Sequence, residues 1–175
     1  MLHVRLTDEP RSVTYSILAG VWAIVALYAI AHDQYIVRIA PEHFTIYHEP
    51  LWGIANPKWL AAAYALRASI GPGFVLGFAC VIVGRNGSRP KVSKWALFAG
   101  TAAVVAATEI VSAGSGWWTD RTKRELFPHA WYPDATLPLR ITTTMQITCY
   151  LASAFFSLVF LLIVNRQRSR LALKN

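Results

Sequence analysis

Charge is the scarcest commodity in this sequence. Only 15% of its 175 residues are charged against 55% hydrophobic, and the mean hydropathy is +0.38. That balance excludes an ordinary soluble domain of this length and makes a lipid bilayer the natural solvent. Cysteine is nearly absent as well. Cys80 and Cys149 both lie in apolar runs, which rules out a disulfide framework and a cysteine-based zinc site. There is no GxSxG, P-loop, GxGxxG, HExxH or ferritin-type ExxH element, no internal repeat and no heptad series. No histidine lies deep in a span with an axial partner, so a bis-histidine haem is not expected.

Four apolar stretches are present that can each cross roughly 30 Å of hydrocarbon at about 1.5 Å per residue. They cover about 13–31, 59–84, 95–113 and 138–164. Ala29-Ile30-Ala31 has the look of a cleavage site, but the leader before it is long and carries Asp8 and Glu9, so an uncleaved first helix is expected. The expected fold is all-α, a bundle of four transmembrane helices forming a single membrane domain over 1–175.

The basic pI, near 9.9, raises nucleic acid as a partner, but the location of the charge argues otherwise. Arg5, Arg11, Arg85, Arg89, Lys91, Lys94, Arg166, Arg168, Arg170 and Lys174 all fall on one side of the spans, opposed there only by Asp8 and Glu9. On the other side Arg38, Lys58, Arg121, Lys123, Arg124 and Arg140 balance Asp33, Glu42, Glu49, Asp120, Glu125 and Asp134. Arg67 and Glu109 cancel within the spans, so the whole formal +8 lies on one face. The positive-inside rule makes that face cytoplasmic and places both termini there. No nucleic-acid partner is expected, and the short loops point to a bacterial plasma membrane.

The cytoplasmic connection over 85–94 is a tight basic turn with Asn86-Gly87 and Pro90, which predicts antiparallel neighbours for the second and third spans. The outer connections, 32–58 and 114–137, are long and rich in aromatics, proline and histidine, and so predict an ordered extracytoplasmic cap. Tyr35–Ile39 and His43–Tyr47 flank Ala40-Pro41-Glu42 and permit a short β-hairpin in the first loop. The second loop has room for one short helix. Trp52, Trp59, Trp117, Trp118, Trp131 and Tyr132 read as an outer interfacial belt, with Trp95 on the inner side.

An ionisable side chain inside a span is costly and normally has a named partner. Arg67 lies eight residues past Trp59 and Glu109 eight before Trp117, each roughly 12 Å deep. The spacing predicts a charge-assisted pair between Arg67 and Glu109. Gln146 and the Thr142–Thr144 run, Thr143 at its centre, lie at similar depth, and Tyr64 sits one turn from Arg67. Such a network either locks helices together or forms a ligand, proton or ion site opening outward. Gly71-Pro72-Gly73 in the second span predicts a kink about one turn below Arg67, and Gly73 with Gly77 forms a GxxxG pattern expected to pack against the small residues of the third span. His43, His48 and His129 are the histidines best placed for a loop metal site with nearby carboxylates, although their spacing matches no ligand motif and no metal is expected.

Glu49-Pro50-Leu51 followed by Asn56-Pro57-Lys58-Trp59-Leu60, opening a helix that later holds a proline, resembles the sterol-isomerase and sigma-2-receptor group of small helical membrane proteins over a short part of the chain. The resemblance implies a sterol-like ligand. Arg67 stands where that group would carry an acidic residue, which departs from its proton-shuttling chemistry.

Small size and absent motifs favour a non-catalytic accessory or structural subunit of a larger membrane complex, or a homo-oligomer, whose partners are the bilayer and other membrane chains. The alternatives are a lipid-binding or lipid-modifying protein using Arg67, Glu109 and Gln146 beside Pro72, and a small transporter or proton-linked channel. No cofactor is expected beyond a bound lipid.

Overall fold

A computed structural model describes residues 9–132 and 136–173. Arg5, Asp8, Asp134 and Lys174, counted above in the charge asymmetry, lie outside the described residues. The chain runs α1 (Arg11–Ile39), α2 (Glu42–Thr45), α3 (Pro57–Arg85), α4 (Lys94–Thr122) and α5 (Leu137–Ala172), with a 3-10 turn over His129–Trp131. α1, α3, α4 and α5 are each long and apolar enough to cross a membrane, so this is an integral membrane protein built as a four-helix bundle. No strand occurs among the described residues.

The first outer loop is therefore not a hairpin. His32, Asp33, Ile36 and Val37 are buried at i, i+1, i+4 and i+5, a helical period that carries α1 well past its expected end. Ile36 and Val37 pack with Phe44, Leu51, Leu60, Ala61 and Met145, so tertiary burial overrides the strand propensity of Tyr35–Ile39. The helix stops at Ile39 because Ala40 precedes Pro41, which disfavours the helical region, and Ala40 is extended at φ −142°. α2 then makes one turn that seats Phe44 over the bundle end, forming the cap. α3 opens on a side-chain cap: Asn56 Oδ1 accepts from Lys58 N at 3.0 Å and Trp59 N at 3.4 Å, with Pro57 at the first helical position. α4 opens on Ser93, whose hydroxyl accepts from Ala96 N at 3.1 Å. It ends at Lys123, left-handed at φ 58°, so the second loop begins later than the hydropathy indicates.

Helix pairing departs from the expected order. α3 packs on α1 and α4 on α5, with α1 also touching α4 and α3 touching α5. α3 and α4, joined by the basic turn, are thus diagonal rather than adjacent. Small residues explain the choice. A Cβ at Gly73 would lie 2.8 Å from Trp22 Cδ1 and 3.0 Å from its Cα, and one at Gly77 3.2 Å from Leu18 Cα. The GxxxG face is consequently the α1 contact, not an α4 contact. Gly100 and Gly116 receive Phe160 and Met145 of α5. Gly71 faces open space, and α3 continues as a helix through Pro72.

At the basic end two buried charges fasten the bundle. Arg168 is fully buried and donates to the carbonyls of Val83 (2.7 Å), Pro90 (2.8 Å), Asn86 and Arg89 (both 2.9 Å). Glu9, also buried, accepts from Arg85 at 2.9 Å and pairs with Lys91; these two cations hold its carboxyl below the usual range against the opposing effect of burial. Neither role follows from the charge count, which treats both residues as solvated.

Candidate functional site: a lateral cleft between α3 and α5

The diagonal placement of α3 and α4 undoes the expected Arg67–Glu109 pair. Arg67 is exposed, roughly 140° around α3 from Pro72 at about 100° per residue. It makes no hydrogen bond or ion pair among the described residues, and its side chain leans toward the helix N-terminus, the direction in which it can snorkel to the interface. Glu109 takes His32 instead, Nδ1 to Oε2 at 2.8 Å, with the imidazole almost wholly buried and the carboxylate partly open.

The other expected members scatter. Tyr64 belongs to the cap, its hydroxyl donating to the Glu49 carbonyl and its ring 4.8 Å from His48. Thr143 is buried but makes no side-chain hydrogen bond among the described residues, while its neighbours do: Thr142 meets His43 Nδ1 at 3.2 Å, and Thr144 meets Tyr132 at 3.0 Å and Thr119 at 3.3 Å. Tyr132 is buried by that contact and accepts from Leu126 N and Phe127 N, so it pins the second loop rather than joining the aromatic belt. Trp52, Trp59, Trp95, Trp117 and Trp131 remain exposed.

The loop histidines also separate. His43 and His48 are neighbours, rings 5.3 Å apart, with His48 Nδ1 at 2.6 Å from the His43 carbonyl. Burial, then the nearby His48 and His32, lower the His43 pKa from 6.5 to about 4. His129 instead meets the Glu125 carboxylate at 3.0 Å. No group of three or more His, Cys, Asp or Glu side chains that could hold a metal ion occurs among the described residues.

What the fold does assemble is a cleft of about 550 Å³, within the range of small-molecule sites. Its mouth lies between α3 and α5, where Ala68, Pro72, Val75, Tyr150, Ala154 and Leu158 are exposed on the lipid-facing side. α1 and α4 form its back wall, and Val25, Leu76, Val104 and Leu161 make the deeper part apolar. Polar groups gather toward the capped end. Asp33 is 6% exposed, lines the cleft and has no hydrogen-bond or ion-pair partner among the described residues. His32 Nε2 and Gln146 Oε1 are buried without partners, although Gln146 donates its amide to Tyr150 at 2.8 Å. Pro72 has no N–H to give the Ala68 carbonyl, and both residues line the cleft.

Sequence reasoning named Gln146 and Pro72 but counted Asp33 as a loop charge and missed it. The signal that finds it is the helical burial period running through His32 and Asp33, which extends the first span to enclose them. No family model matches this chain, nor does any curated protein or solved structure. The likeness of residues 49–60 to the sterol-isomerase group therefore rests on that run of residues alone.

Proposed function

We propose that this protein binds a single amphiphilic molecule taken laterally from the bilayer, with its polar group at Asp33, His32 and Gln146 and its apolar part along the α3–α5 cleft. The observation that carries this reading is Asp33. A buried carboxyl with no partner is several kcal/mol unfavourable when ionised, and membrane ionisable groups left in that condition mark sites of function. The apolar wall below it suits a hydrocarbon and offers a travelling ion nothing to hold. Of the readings open to the sequence, lipid binding is thus preferred to a purely structural role.

Association with another membrane chain is the second reading, and Arg67 favours it. An unpaired arginine on the outward side of α3 is a place where an acidic group of a neighbouring subunit would pair. In this account the basic end faces the cytoplasm, following the positive-inside rule. A cysteine placed at the exposed Ser88 would then react with an impermeant reagent only from the cytoplasmic side; Cys80 and Cys149 are buried and contribute little background.

Native mass spectrometry of the gently extracted protein tests the cleft. The expected result is one retained lipid-sized molecule on the parent chain that is lost when Ala68→Phe and Ala154→Phe fill the mouth. Equal retention in the filled variant, or no retained molecule in the parent, would sink the proposal.

A further inference from the structure

The cleft's polar end combines an unpaired carboxyl with unpaired carbonyl oxygens. Asp33, His32 Nε2 and Gln146 Oε1 are buried and lack hydrogen-bond partners among the described residues, and the Ala68 carbonyl has lost its intrahelical donor to Pro72. His32 Nδ1 meets the Glu109 carboxylate at 2.8 Å, and its Nε2 has no hydrogen-bond partner among the described residues. The Gln146 amide is spent on the Tyr150 hydroxyl, which accepts it and keeps its own O–H as a neutral donor on the cleft wall. No lysine or arginine lines the cleft, and Arg67 points away from it around α3. Glu109 has His32 as a hydrogen-bond partner, whereas the Asp33 carboxyl has no hydrogen bond or ion pair among the described residues.

We infer that the ligand carries a protonated amine, its ammonium paired with the Asp33 carboxylate and its remaining N–H groups given to the Gln146 and Ala68 carbonyl oxygens, with an apolar chain filling the cleft below. This rests on the lateral-cleft reading and narrows it. A primary ammonium has three donors and no acceptor, which suits a place where an unpaired carboxyl and two carbonyl oxygens face one cleft. Charge-assisted N–H···O bonds are roughly twice as strong as neutral ones, and the low-dielectric wall strengthens them further. A phosphate or fatty-acid head would meet the Asp33 charge with no cation between them.

The test uses the full chain in phosphatidylcholine nanodiscs and a diazirine-bearing octadecylamine. The expected result is labelling of α3 and α5 residues that line the cleft, displaced by unlabelled octadecylamine at about one-tenth the concentration needed of octadecanol, a preference of about 1.4 kcal/mol, and not displaced by octadecanoic acid. Asp33→Asn should bring amine and alcohol within twofold of each other while a diazirine-bearing alcohol still labels the cleft. Equal competition by amine and alcohol on the parent chain overturns the amine assignment whether or not the variant folds, and leaves the cleft reading standing. Labelling that neither probe directs to the cleft, or that Ala68→Phe with Ala154→Phe does not reduce, overturns both.

Discussion

Replacing Arg168 with lysine isolates geometry from charge. The substitution keeps the positive count that orients the chain, so insertion is unchanged, but it removes the planar fork that reaches four carbonyls at once. Two of those carbonyls, Val83 and Asn86, lie at the C-terminal end of α3, where helical carbonyls have no intrahelical donor and a cation also meets the negative end of the helix dipole. A hydrogen bond to a charged group contributes about 1.5–3 kcal/mol. Lysine can keep one or two of the four, and water can reach the remainder of the turn, so the expected loss is about 3 kcal/mol. For a chain of this size that corresponds to a fall of roughly 6–12 °C in melting temperature, read from tryptophan fluorescence in mild detergent. Arg166, exposed two residues away on the opposite side of α5, is the control, and Arg166→Lys should move the melt by less than about 1 °C by the usual behaviour of surface substitutions. A melt for Arg168→Lys indistinguishable from that control would refute the idea that this buried guanidinium fastens the basic turn.

Two further perturbations separate the observed contacts from the ones the sequence points to. Glu109→Ala should destabilise more than the double change of Glu109 and His32 to leucine, because the single change strands the buried His32 imidazole. Arg67→Leu should cost less than about 0.5 kcal/mol in the isolated chain, so a large Arg67 effect with little from His32 would restore the pair that the helix order forbids. For the cap, His43 is held neutral down to about 4 while its unfolded value is 6.5. The unfolded state therefore takes the proton first, and stability is full above pH 6.5 and lost as the pH falls toward 4. That interval corresponds to roughly 3 kcal/mol. His43→Gln should flatten the melting temperature over this range, and an unchanged slope would remove His43 as its cause.

Much of the architecture is legible without coordinates because it follows from one-dimensional properties. Twenty-residue apolar runs set the number of spans, and the basic turn with Asn86-Gly87 and Pro90 sets one reversal. The polar group at Gln146 and the proline at Pro72 stand out because both are anomalous inside a span. Partner choice is different. Arg67 and Glu109 match in depth, and depth is all that a sequence spacing measures; whether two helices at equal depth touch depends on which faces accept a neighbour. Gly73 and Gly77 give α3 to α1 by letting the Trp22 and Leu18 backbone approach, and Gly100 and Gly116 give α4 to α5. That packing turns Arg67 outward and hands Glu109 to His32. The sequence by itself determined a four-span membrane chain with its charge gathered at one end, since hydropathy and charge are summed along the chain. Only the tertiary structure decided that Asp33 ends without an ion pair at the polar end of a largely apolar cleft, because a residue's partners are fixed by the close contacts of helices far apart in sequence.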